Sequence, residues 1–350
     1  MRPLIQDKSI LQGLVDQYAN SLEGQISTAL DDHTISDNPS WNTLCDRIKD
    51  NIENLLKYDL LSLEQLEKRL QFPSLLSTAN QPYLQNAKKC RGRREKTIPE
   101  KNLCKIFNYD GFSKNEDERV VGARWLCKHL GAIICPYCNR EYIASFHIHN
   151  KNRLYRPDLD HFMPRKDHPW FALSFFNLIP SCSTCNSRFK LANDFLPSKY
   201  MCPITESIDD TLEFSFKMDT MPTNLLLDAG NTSGFDATYE KVNLTIVKRK
   251  DKTSSQNDYL RAEKVLVDLD IIARYQSCPE PILILLKKMR DYNPPKMNEI
   301  MKICGFDPDN KIAVREWKRT LFGASGHDDD VHKRSLGKIT NDLVRQIYKS

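Results

Sequence analysis

Two pairs of cysteines at one spacing, Cys135-Pro136-Tyr137-Cys138 and Cys182-Ser183-Thr184-Cys185, constrain this 350-residue chain more than any other feature. Four thiolates complete a tetrahedral Zn²⁺ shell with no open position, so such a site organises a fold and leaves chemistry to other residues. The 43 residues between Cys138 and Cys182 exceed the gap of a zinc ribbon and suit a site that clasps an inserted unit. The remaining seven of eleven cysteines, Cys45, Cys90, Cys104 and Cys304 among them, show no paired spacing. A disulfide framework is therefore disfavoured, and metal binding in a reducing cytoplasm is expected. The alternative for the two pairs is four unliganded buried cysteines.

With 40% hydrophobic and 28% charged residues the chain is of the ordinary globular class, and a packed core is expected. The N-terminal MRPLIQDKSI lacks the apolar centre of a signal peptide, and the run Ile282 to Leu286 is too short to cross a bilayer, so a soluble, cytoplasmic protein is expected. Apolar residues recur at helical steps through Leu11, Leu14, Tyr18, Leu22, Ile26 and Leu30, and again through Trp41, Leu44, Ile48, Ile52 and Leu55. Ser62 with Gln65 reads as a capping box that opens a third helix. A further helix is expected from about Glu116 to Leu130, stopped by Gly131. Alternation predicts short strands at Leu212–Phe216 and Val242–Ile246, and helical periodicity returns from Leu260 to Ile347. Gly337-Lys338 lacks the rest of a phosphate loop, so the chain carries no ATPase of its own.

The net charge of +5 is unremarkable, but its distribution is uneven. Lys88 to Lys96 holds six basic residues and one acidic one, Arg91, Arg93 and Arg94 included. The stretch reads either as a phosphate-binding patch or as a solvated linker.

Within the span bounded by the cysteine pairs lies DLDHFMPRKDHPWFALSFFNLIPSCSTCNSRFK, from Asp158 to Lys190. Asp160-His161 followed by Pro164, then Asn177-Leu178-Ile179-Pro180, then Cys182-x-x-Cys185-Asn186-x-x-x-Lys190, resembles the HNH endonuclease family in its zinc-bearing form. The resemblance implies an α+β fold: a mainly helical chain with a central ββα-metal unit clasped by a four-cysteine zinc site. With the helical periodicity of the flanks, it divides the chain into an N-terminal helical domain (1–100), a nuclease domain with zinc knuckles (101–205), and a C-terminal, mostly helical domain with a few short strands (206–350).

The residue types suit those roles. His161 is the candidate general base, because an imidazole titrates near neutral pH. Asp160 projects to the opposite face of an extended segment and can bind a metal without pairing with the base. The Asn186 amide oxygen suits Mg²⁺ or Mn²⁺; the family often has histidine there, so this chain carries an H-N-N variant. Asn177, from the family's middle position, is expected to bond across the loop and orient His161. Asp158 shares the strand face of Asp160 and either joins the metal shell or stays solvated. His147 and His149 belong to a hairpin turning near Asn150 to Asn152 and are expected to be structural. Arg140, Arg153, Arg156, Arg165, Lys166, Arg188 and Lys190 supply charge for a nucleic-acid backbone, with Lys190, one helical turn after Asn186, expected on the same groove.

The flanking phrases, CPYCNREY and RSLGKITNDL among them, look like stand-alone bacterial HNH proteins of anti-phage or restriction systems, resembling Septu-type or retron-linked effectors. That resemblance implies DNA as substrate, with RNA as the other polynucleotide, and as partners a separate ATPase subunit or a second copy of the chain. The competing expectation is a catalytically degenerate, zinc-organised nucleic-acid-binding or scaffold subunit, against which the intact Asp160-His161 and Asn186 speak.

Overall fold

Helical periodicity governs the N-terminal part of the chain in the computed structural model, which describes residues 4, 7–84, 89–90, 93–115, 117–148, 153–218, 242–324, 326, 331 and 334–348. The Asp7 carboxylate accepts from the Ser9 and Ile10 amides and caps the helix Lys8–Asp32 (α1), whose buried stripe is Val15, Tyr18, Ala19, Leu22, Ile26 and Leu30. The second stripe is interrupted at Asp50 and Asn51 into Pro39–Lys49 (α2) and Ile52–Lys57 (α3). The next helix, Leu60–Leu70 (α4), starts ahead of the expected Ser62 cap. Asp59 accepts from both the amide and the hydroxyl of Ser62, so the serine donates to the cap instead of forming it. Phe72–Leu84 (α5), Ile98–Ile106 (α6) and Tyr109–Lys114 (α7) follow. The helix expected from Glu116 is confined to Ala123–Leu130 (α8), with Val120 exposed ahead of it; Gly131 ends it as expected, at φ 59 in the left-handed region.

The strands are short and pair locally. Lys89–Cys90 (β1) pairs with Arg93–Arg94 (β2), Phe146–Ile148 (β3) with Arg153–Tyr155 (β4), and Asp158–His161 (β5) with Leu178–Ser181 (β6), each antiparallel. The architecture is mostly helical with small sheets, consistent with α+β.

One compact unit comprises residues 3–132 and 143–206. The first hundred residues are thus not separate from the segment after them, and the physical reason is the loop from Phe162 to Asn177. Phe162, Met163, Trp170, Phe171, Phe175 and Phe176 are all buried. Tyr18 of α1 stands edge-on to Phe175 at 5.3 Å and donates its hydroxyl to the Leu173 carbonyl at 2.9 Å, while Phe72 of α5 packs on Trp170 at 5.2 Å. Each such ring removes roughly 150–250 Å² from water, so the N-terminal helices serve as the other half of this loop's core.

The second unit comprises 133–142 and the described residues of 207–350. Leu212–Met218 (β7) and Val242–Lys248 (β8) pair antiparallel, Phe214 opposite Ile246. The helices Gln256–Asp268 (α9), Ile271–Gln276 (α10), Glu280–Asp291 (α11), Pro294–Ile303 (α12), Lys311–Phe322 (α13) and Gly337–Ile347 (α14) follow. α14 satisfies the outer edge of β7 with side chains: Asp342 accepts from the Phe214 amide at 2.8 Å and Gln346 donates to its carbonyl at 2.7 Å. Lys338, buried one turn earlier, is compensated by Asp209 at 2.7 Å, Asp342 at 2.8 Å and the Leu212 carbonyl at 2.8 Å. A buried ammonium costs several kcal/mol unless matched in this way. Among the described residues, no helix is long and apolar enough to cross a membrane.

Candidate metal centre and catalytic site

Each cysteine pair is built as a turn whose own backbone holds it. In the first, the Cys135 amide donates to the Glu141 carbonyl at 2.9 Å and the Asn139 amide to the Cys135 carbonyl at 2.8 Å. Asn139 closes the turn at φ 49, a conformation asparagine tolerates better than most residues. Its side chain accepts from the Lys338 amide at 2.7 Å and donates to the Val331 carbonyl at 2.8 Å, and Tyr275 donates to the Cys138 carbonyl. In the second, the Cys185 amide points at the Cys182 sulfur, 3.4 Å away, as suits a thiolate.

The Sγ atoms of Cys135, Cys138, Cys182 and Cys185 lie within 4.8 Å of one another, and all four residues are buried. None is in a disulfide. With Zn–S bonds of about 2.3 Å, a tetrahedron places its sulfurs about 3.8 Å apart, so the cluster is close to the dimensions such a shell requires. Four soft donors in a dry setting can hold a metal ion such as zinc. It is the one such group of His, Cys, Asp and Glu ligands among the described residues.

The candidate catalytic residues sit on β5. Asp160 lies opposite Ile179 and His161 opposite Leu178, and Asp160 is buried. His161 Nε2 faces the Ala172 carbonyl at 3.1 Å. A carbonyl only accepts, so Nε2 carries the proton and Nδ1 the lone pair. Burial pushes the imidazole down to about 4 against the raising effect of that bond, and the Arg165 and Lys190 charges depress it further. The ring is therefore neutral at pH 7. Asn177 bonds across the loop: its oxygen accepts from the Met163 amide at 2.8 Å, and its amide donates to the Met163 and Phe171 carbonyls at 3.0 Å. Those bonds fix the segment that offers the Ala172 carbonyl to His161. Asp158 is half-buried opposite Ser181.

Asn186 and Lys190 belong to a π-helical turn, Cys185–Lys190, closed by the Leu191 amide on the Asn186 carbonyl. Asn186 is half-buried. Lys190 is not on an open groove. Its side chain is wholly buried, with Nζ 2.6 Å from the His161 carbonyl, 3.1 Å from Asp160 Oδ1 and 5.1 Å from the Phe195 ring centre. It cannot reach a backbone phosphate from there, and instead ties the turn to β5.

The other expected basic residues divide. Arg165, Lys166 and Arg188 are exposed. Arg140 is turned onto the Arg274 carbonyl, and Arg156 onto Ser113 and the Pro157 carbonyl. Arg93 and Arg94 lie in β2, whereas Arg91 and His149 fall outside the described residues. His147 is exposed, 3.5 Å from Glu118.

Two features had no signal in the sequence. Tyr109, far from the motif, meets the His161 ring edge-on at 4.4 Å. His168 lies between Glu67 at 2.6 Å and Asp194 at 3.2 Å, and Trp170 donates to the same Glu67 oxygen at 2.8 Å. Comparison of the chain with protein-family models, with curated proteins and with solved structures finds no match.

Proposed function

We propose that this chain is a metal-dependent endonuclease of the HNH type that hydrolyses phosphodiester bonds of DNA. One observation carries the reading: His161 is held with Nε2 on the Ala172 carbonyl, leaving Nδ1 to accept a proton, beside buried Asp160 on one short strand. The order strand, loop, strand and helical turn from Asp158 to Lys190, with Cys182 and Cys185 at the head of the turn, is further support for a ββα-metal unit.

In this reading zinc on Cys135, Cys138, Cys182 and Cys185 is structural. Asp160 and Asn186, with Asp158 as a third oxygen donor, would hold Mg²⁺ or Mn²⁺, which when bound supplies neutralisation of the charge on the departing oxygen. The donor set fits in kind, a carboxylate and an amide oxygen being hard ligands. Any such ion shares Asp160 with the Lys190 ammonium. His161 takes a proton from water as its oxygen attacks phosphorus. The P–O3′ bond breaks, and a 5′-phosphate and a 3′-hydroxyl remain. By the resemblance described above, the setting is a cytoplasmic anti-phage or restriction system, with a separate ATPase or a second copy as partner.

The ion pair between Lys190 and Asp160 favours a second reading, a degenerate zinc-organised scaffold, since that carboxylate already has a cation. Plasmid nicking with Mg²⁺ or Mn²⁺ separates the two. The nuclease reading expects wild type to nick and His161→Ala to lose about 10²- to 10⁴-fold; equal rates would remove His161 as the base, and no nicking by wild type would leave the scaffold.

A further inference from the structure

The ring of Tyr109 is a meeting point. His161 touches its edge at 4.4 Å, and the Arg165 guanidinium lies over it at 5.1 Å. Asp110, next along α7, holds Arg165 Nη1 at 3.0 Å, and Phe112 stacks behind the ring at 6.0 Å. Arg165 is nevertheless 51% exposed, and among the described residues Asp110 is its one protein hydrogen-bond partner. Most of the five donors of a guanidinium thus remain uncommitted.

This arrangement differs from an ordinary surface arginine. A planar cation braced by a ring and a carboxylate gives up little conformational freedom when it binds, and the fork matches phosphate oxygens in a way a lysine cannot. Its neighbour across the ring is the candidate base. A polynucleotide phosphate gripped by Arg165 is therefore brought to the site, while an anion bound at Lys166 or Arg188 has no such link.

We propose that Arg165, cradled by Tyr109 and Asp110, is a backbone-phosphate clamp of the candidate site, with Tyr109 as the positioning residue shared by the clamp and His161. The ligand is a phosphodiester backbone, whether of DNA or RNA. The proposal deepens the nuclease reading and rests on it for the clamp's purpose.

The test is anisotropy titration of a fluorescein-labelled DNA duplex, and of an RNA duplex of the same sequence, over a range of salt. The full-length chain in a His161→Ala background is used, so that cleavage does not intervene. Arg165→Gln is expected to weaken binding about tenfold at low salt and to lower the slope of log K against log salt by about one. Tyr109→Ala should weaken binding, and Tyr109→Phe should restore it, since the ring rather than the hydroxyl forms the cradle. The arm with the larger Arg165→Gln effect identifies the polynucleotide. An unchanged slope for Arg165→Gln, or no binding of either duplex, overturns the clamp. If wild type fails to nick DNA while the slope still falls, the clamp stands and the nuclease reading fails; if wild type nicks and the slope is unchanged, the nuclease reading stands and the clamp fails.

Discussion

Lys190 joins the two halves of the candidate site through a single buried ammonium, which bonds the carbonyl of His161 and the carboxylate of Asp160. Replacing it by methionine keeps the length of the side chain but strands a buried carboxylate. Lys190→Met is expected to cost about 3–5 kcal/mol in urea unfolding, and Lys190→Met/Asp160→Asn to recover much of that, because removing both charges of a buried pair is often close to neutral. Additive losses in the double variant would show that the two side chains do not act as a pair. The sequence showed this residue and its spacing but pointed it wrongly. A residue four positions after Asn186 shares its face on an α-helix, whereas here the turn closes i to i+5 and carries Lys190 to a different side. Asp160, His161 and Asn177 were legible because their order in the chain mirrors their order in a strand and loop. Tyr109 was not, since nothing local ties it to a histidine 52 residues further on.

At the scale of elements, the periodicities located most helices and the strands β7 and β8, and missed where local hydrogen bonding set the ends, as at Asp59. The loop between β5 and β6 is the element that tertiary contacts decide. Its partners on α1, α4 and α5 came only with the fold. His168 pins this loop to Glu67 of α4 and to Asp194. Burial opposes its charge, yet the hydrogen bonds and charges of Asp194 and Glu67 outweigh that and raise it to about 9. A histidine raised from about 6.5 in the unfolded chain contributes its full stabilisation below that value and loses it as pH rises through about 9. Unfolding free energy is therefore expected to fall between pH 6.5 and 9, by no more than about 3 kcal/mol. His168→Gln should flatten that slope while lowering stability at pH 6.5. A wild-type slope in the variant would mean that another group titrates.

For the whole molecule, the cysteine cluster brings together residues with 43 positions between them, the strands β3, β4, β5 and β6 included. A metal ion held there would stabilise the fold by its binding free energy, since the four thiolates come together only in the folded chain. This was the most legible part of the sequence, because a tetrahedral thiolate shell dictates spacing and residue type with little dependence on surroundings. The helical flanks were the least legible for function, since amphipathic helices encode burial and nothing more. If the cluster is structural, metal content and chemistry separate cleanly between variants. Cys138→Ser is expected to lose the equivalent of one zinc per chain, to lower the unfolding temperature and to reduce folded yield. Asp160→Ala should keep its zinc and lose nicking, and Cys104→Ser, an exposed cysteine outside the cluster, should change neither. Metal analysis of the three proteins beside thermal unfolding decides the matter: full zinc occupancy in Cys138→Ser removes the cluster as the metal's holder, and zinc loss in Asp160→Ala would place the metal at β5 instead.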